Sequence, residues 1–179
     1  MAEFLWIFWS FSLLGWGLER LFAAVTRSPR RRRRCLLLLP LCPVYGLGMA
    51  AVLALPPSLR SGWPLYLWGG LTATSVEYIY HWWGETFLSV SFWDYTGVFG
   101  NLRGRVCLPF SLAWGLLLFP AVYLVTPPVV ALADRVPVGV TWWLLLAFTA
   151  DAVCSLRFLA VTHDLEALRA VIWPVSGDR

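Results

Sequence analysis

An all-α, polytopic membrane helix bundle is the fold class that this 179-residue sequence predicts. Three observations carry the prediction. The chain is 59% hydrophobic and only 13% charged, whereas soluble domains carry about 25% charged residues. Crossing the hydrocarbon core takes about 20 apolar residues in a helix, and five segments meet that need. The 12 Trp, 11 Phe and 6 Tyr suit a chain whose helix ends lie at headgroup level, where aromatic rings are favoured.

The expected spans are roughly 4–25, 35–55, 64–87, 106–126 and 138–160, in one transmembrane domain covering 1–179. Span 1 has no basic n-region or small-residue cleavage site before it, so it reads as a retained helix rather than a signal peptide. Span 2, "CLLLLPLCPVYGLGMAAVLAL", should not be a smooth helix. Pro40 and Pro43 each remove an amide donor, and a broken helix survives at membrane depth only where protein or a cavity satisfies its carbonyls. Gly15 and Gly17 in span 1, and Gly69 and Gly70 in span 3, allow backbones to approach closely. The four cysteines form no CxxC pair and read as small apolar packing residues.

All fourteen basic residues are arginine. With the N-terminus outside, twelve of them fall at the inner face and only Arg60 and Arg135 outside. Excess Lys/Arg marks the cytoplasmic side, so the expected topology is N-out, C-in. The run Arg30–Arg34 between spans 1 and 2 is a topogenic loop. Contact with anionic headgroups, at about 1 kcal/mol per basic residue, is its functional alternative. Nothing else forms a basic face, so nucleic acid is not an expected partner.

Spans 2 and 4 carry no acid, base or histidine, while spans 1, 3 and 5 do. At about 1.5 Å per residue, Glu19, Glu77 and Asp151 each lie some 20 Å below the outer edge. In "TSVEYIYHWWGETF" (74–87), Glu77, His81 and Glu85 recur every fourth residue and so share one helix face. An acid at a helix centre costs about 3 kcal/mol toward lipid. The stripe is therefore expected to face spans 1 and 5, forming a polar centre or substrate path from Glu19, Glu77, His81, Glu85 and Asp151. Arg20 and Arg157 are the candidate counter-charges. Glu77 and Glu85 are about 12 Å apart along the axis, too far to hold one ion together; at most Glu77–His81 or His81–Glu85 could share a metal with another helix, and a metal site is not the expected reading. Structural hydrogen bonding across helices is the competing explanation of the same acids.

The stretch 89–105 reads as an ordered inner loop. Trp93 and Tyr95 suit an interfacial belt, Asp94 could pair with Arg103 or Arg105, and Gly97, Gly100 and Gly104 permit tight turns near Asn101. No Lys–Ser/Thr follows these glycines, so this is not a nucleotide loop. A weak internal echo joins "RRCLLLLPLCPVYGLG" to "GRVCLPFSLAWGLLL". It suggests two copies of one hairpin, spans 1–2 and 3–4, running the same way across the bilayer, with span 5 added. Transporters often contain such repeats.

Four patches resemble the Putative ABC-transporter type IV family of small bacterial membrane proteins. They are "LLGWGLERLF" (13–22), "LLLLPLCPVYGLG" (36–48), "EYIYHWWGE" (77–85) and "FWDYTGVFGNLRGRVCLPFSLAWG" (92–115), in family order. The resemblance implies a multi-pass protein of the bacterial inner membrane and a permease-like role. The sequence departs from the family pattern in its longer arginine run and in His81.

Together these features point to a membrane permease component whose acidic centre handles a cation, proton or cationic solute. No nucleotide-binding or catalytic motif is visible, so an enzyme is not favoured and no cofactor is called for. An ATPase would have to be a separate chain, and a homo-oligomer stays open. The alternatives are an inner-membrane enzyme gripping lipid headgroups with Asp94, Arg103 and Arg105, or a scaffold whose loop docks a partner protein.

Overall fold

The structure, a computed structural model, describes residues 1–26 and 35–170, with the side chains of 169 and 170 left aside. Arg27, Arg179 and the run Arg30–Arg34, with its expected headgroup contact, lie outside the described residues.

The described residues fold into helices and connecting loops and contain no β-strand; a single isolated bridge joins Leu102 and Val106. Helix α1 runs Ala2–Thr26 and α2 runs Pro43–Leu53. A 3₁₀ turn at Pro57–Leu59 leads into α3, residues 62–88. Helix α4 is Leu108–Ala133, α5 is Val138–Thr162 and α6 is Leu165–Ala170. Helices α4 and α5 are long and apolar enough to cross a membrane.

Four expected spans correspond to long helices, and span 2 departs. Residues 35–42 are non-helical, so α2 is only 11 residues long. The cause is local. Pro40 has no amide to donate and Pro43 sits at the first helical turn, where a missing N–H costs nothing. Cys42 then donates its amide to the carbonyl of Ser12 on α1 at 2.9 Å. Span 4 extends past its expected end. A π-helical turn at Ala121–Val125 follows Pro120 and absorbs the lost hydrogen bond, letting the helix continue to Ala133.

Two close helix crossings set the frame. On α1 and α2, a Cβ on Gly15 would collide with the Tyr45 ring, and one on Gly46 with the Phe8 carbonyl and the Ser12 hydroxyl. On α3 and α4, a Cβ on Gly115 would lie 2.8 Å from the Tyr66 carbonyl, and one on Gly70 3.3 Å from the Gly115 Cα. Phe8 precedes Glu19 by eleven residues, and Tyr66 precedes Glu77 by eleven. Gly46 and Gly115 each follow the aromatic residue of the sequence echo, Tyr45 and Trp114. The two hairpins therefore cross in the same register.

Helix α5 is tied to the rest at both ends. Trp6 donates to Thr141 Oγ1 at 3.1 Å, and His163 Nδ1 donates to the Leu88 carbonyl at 2.7 Å. The loop 89–105 is ordered, as expected. Ser89 ends α3 in the left-handed region at φ 55°. From there Val90, Phe92, Trp93 and Tyr95 bury themselves in the same core as Leu37, Cys42 and Leu159. All four cysteines are free, and Cys42 and Cys107 are buried.

Candidate functional site

Asp151 is buried on α5, and its partners come from the break in span 2. Its two carboxylate oxygens accept the amides of Leu38 at 3.1 Å and Leu39 at 2.9 Å, and the Ser155 hydroxyl donates at 2.9 Å. Unwound backbone in an apolar setting leaves donors that must be satisfied. Asp151 satisfies two of them. Pro40 and Asp151 are two halves of one arrangement.

Glu19 and Glu77 sit in matching places in the two hairpins. The Tyr45 hydroxyl on α2 donates to Glu19 Oε1 on α1. Trp114 Nε1 on α4 donates to Glu77 Oε2 on α3 at 2.7 Å. In each hairpin the aromatic residue of the echo holds the acid of the preceding helix. The two aromatics meet edge to face, with ring centroids 5.0 Å apart. Tyr95 from the loop adds a second donor to Glu77 at 3.3 Å. Glu77 is 1% exposed.

Further along α3, the expected stripe continues but does not face spans 1 and 5. It faces the loop and α4. His81 Nε2 lies 3.1 Å from Glu85 Oε1 and 3.3 Å from the Ser91 hydroxyl, and its ring packs against Trp93. Arg105 Nε donates to Glu85 Oε2 at 2.7 Å and Nη1 to the Tyr78 hydroxyl at 2.8 Å. The cause is the loop's apolar content. Phe92 and Trp93 pull 89–105 into the bundle, and Gly84 leaves room for the Phe92 ring.

The expected counter-charges lie elsewhere. Arg20 is exposed and stands over the Trp16 ring at 5.0 Å. Arg157 is exposed. Among the described residues, the arginine that meets a carboxylate is Arg105. Its contact with Glu85 raises its already high pKa. Asp94 does not pair with Arg103 or Arg105. Its Oδ1 accepts the Thr96 amide at 2.8 Å, and hydrogen bonds from Thr96 lower its pKa below the ordinary aspartate value. Gly104 makes this turn possible. It has φ 70°, and a Cβ there would lie 3.0 Å from Asp94 Oδ1. Arg103 is exposed at φ 54°, and Asn101 Oδ1 accepts the Gly104 amide at 3.2 Å. Asp94, Arg103 and Arg105 therefore do not converge on one point.

Two cavities adjoin the Glu19–Tyr45–Trp114 group. One of about 220 Å³ is walled by Phe22, Tyr45, Tyr95, Phe110 and Trp114, and Glu19 and Asp94 are also among its lining residues. The other, about 620 Å³, is an apolar crevice between α1, α2 and α4. Leu18, Tyr45, Trp114 and Leu117 line both. Sequence reasoning singled out neither Tyr45 nor Trp114 as a site residue. Their signal was the aromatic–Gly–Leu triplet shared by the two halves of the echo.

Neither a curated protein nor a solved structure shows detectable similarity to the chain. A family profile described as Putative ABC-transporter type IV matches residues 6–156, from the first turns of α1 to within α5, and so takes in every one of the acids discussed above. By that match the chain is a membrane protein of the Putative ABC-transporter type IV family.

Proposed function

We propose that this protein is the membrane-spanning component of a transporter for a cation or cationic solute, with Glu19 and Glu77 as its central acids. The observation that carries this reading is the paired placement of the two acids. Each is held by an aromatic donor of the other helix in its hairpin, and the donors touch each other. Transporter sites sit where internal repeats meet, and the Tyr45–Trp114 contact is such a place. In this reading the chain crosses a bacterial inner membrane five times, N-out and C-in, as the arginine distribution suggests. The family description favours an ATPase on a separate chain. Asp151 is a structural acid, because its carboxylate is engaged by two amides and Ser155.

The test is flux. Purified protein in liposomes, together with any ATPase that co-purifies in mild detergent, is assayed with radiolabelled rubidium and tetramethylammonium. Glu19→Gln and Glu77→Gln are each expected to lower uptake of the transported cation at least tenfold. Uptake equal to that of the unaltered protein in both variants removes the proposed site.

A further inference from the structure

The loop 89–105 is fastened to one side of α3 at three points. Ser91 meets His81, Tyr95 donates to Glu77, and Arg105 donates to Glu85 and Tyr78. Glu85 takes His81 on Oε1 and Arg105 on Oε2, so a single carboxylate joins helix and loop. The tautomer of His81 follows from these partners. The Ser91 hydroxyl donates its proton to the Trp93 carbonyl at 2.9 Å, so its oxygen accepts from His81. An ionised carboxylate can only accept. Nε2 therefore carries the hydrogen and Nδ1 is a bare lone pair. That lone pair is buried and has no hydrogen-bond partner. His81 is 1% exposed, with Phe92 and Trp93 edge-on to its ring.

A proton added at Nδ1 changes this corner in two ways. It makes a buried N–H with no acceptor, which is unfavourable. It also sets two cations, the imidazolium and Arg105, on one carboxylate. The remaining charged group near the ring is Asp94 of the loop, whose Oδ1 is taken by the Thr96 amide. The broken segment 35–42, α4 and α5 pack on the same core. Their titratable groups Cys35, Cys42, Cys107, Asp151 and His163 make no hydrogen bond to His81, among the described residues. Asp164 and Glu166, beside and on α6, are exposed. The new N–H can find an acceptor only if the ring turns, and turning gives up Ser91.

We propose that Nδ1 of His81 is a proton-binding site that unlatches the loop 89–105 from α3. Water supplies the proton, the lone pair becomes an N–H, and the imidazolium turns away from Ser91. The loop loses its hold beside Trp93, and Tyr95, further along it, is drawn off Glu77. Release itself is independent of the cation reading. Its use rests on that reading: in the proposed topology the loop covers Glu77 from the inner face, and its release is a proton-opened inner gate.

The chain has two histidines, so full-length protein carrying nitrogen-15 histidine, in nanodiscs, gives two sets of ring signals, and His81→Gln identifies those of His81 by their loss. Histidine is the side chain that ordinarily changes charge between about pH 8 and pH 5. At the upper end the His81 signals should be those of a neutral ring protonated at Nε2, and at the lower end those of an imidazolium. Hydroxyl-radical labelling read by mass spectrometry measures exposure of Phe92, Trp93 and Tyr95, all buried in the latched loop. Their labelling should rise about threefold over the same range, with the midpoint of the His81 signals, while that of Trp9 and Phe11 on α1 stays constant. His81→Gln keeps an N–H near the position of Nε2 and cannot titrate, so its labelling should not rise. A His81 ring that stays neutral, a labelling midpoint different from that of the ring, or an equal rise in His81→Gln overturns the latch. The midpoint comparison uses the unaltered protein, so it decides the outcome whether or not the variant folds. Rubidium and tetramethylammonium uptake separates the two readings. Release with uptake independent of pH refutes the gate and leaves the latch standing. Release in a protein whose uptake survives both Glu19→Gln and Glu77→Gln refutes the cation site alone.

Discussion

Asp151 illustrates how one side chain can repair a break made by another. Replacing it with Asn keeps the size but loses the charge-assisted acceptance of two amides and turns an NH₂ group toward a donor. Hydrogen bonds to a charged group contribute about 1.5–3 kcal/mol each. Asp151→Asn is therefore expected to destabilise the protein by about 3 kcal/mol, and Ser155→Ala by about 1 kcal/mol. Thermal unfolding in detergent checks both, and an Asp151→Asn protein as stable as the original would contradict the assignment. Asp94 makes a pH-dependent contribution. Its pKa is lowered in the folded loop, so the stabilisation is present above the ordinary aspartate value and is lost as pH falls through the lowered one. Hydrogen exchange at the Thr96 amide should accordingly lose protection at acid pH relative to neighbouring loop amides, and Asp94→Asn should remove that difference.

The crossings of α1 with α2 and of α3 with α4 depend on missing side chains. Gly115→Ala would place a methyl 2.8 Å from the Tyr66 carbonyl, which is backbone and cannot turn aside. Overpacking of this kind costs about 1–3 kcal/mol. The crossing should open and draw Trp114 away from Glu77, so Gly115→Ala is expected to lower both thermal stability and cation flux. Gly48→Ala is the control, since its Cβ meets open space, and as a helix-interior Gly→Ala change it should not lower the melting temperature. The π-helical turns belong to the same level of organisation. Apolar periodicity locates α4 but cannot say whether Pro120 ends it. That outcome depended on the wider turn at Ala121–Val125.

Across the bundle, two hairpins of common register bring their acids and aromatics to one seam, and α5 and the buried loop close around it. The proposed five-span topology makes a direct prediction. A single cysteine introduced at Ser61 or Asp134, in an otherwise cysteine-free background, should react with an impermeant maleimide from outside intact cells. One at Asn101 should react only after permeabilisation. The reverse pattern would invert the orientation drawn from the arginines and leave the internal geometry untouched.

Composition and apolar run length were enough to establish an all-helical fold and to locate four of its long helices, because lipid imposes its demands on each segment separately; the break in span 2 and the overrun of span 4 were not in that signal. The same logic identified Glu77 and His81 as residues that would turn away from lipid, and both are buried. Partners were a different matter. Trp114 lies 37 residues from the Glu77 it holds, and Leu38 lies 113 from Asp151. The expected meeting of Glu77 with spans 1 and 5 gave way to Tyr95 and Trp114, because Phe92 and Trp93 carry the loop into the bundle. A hydrogen bond needs its two atoms within about 3 Å, and no one-dimensional pattern contains that distance; it exists only once the helices have packed.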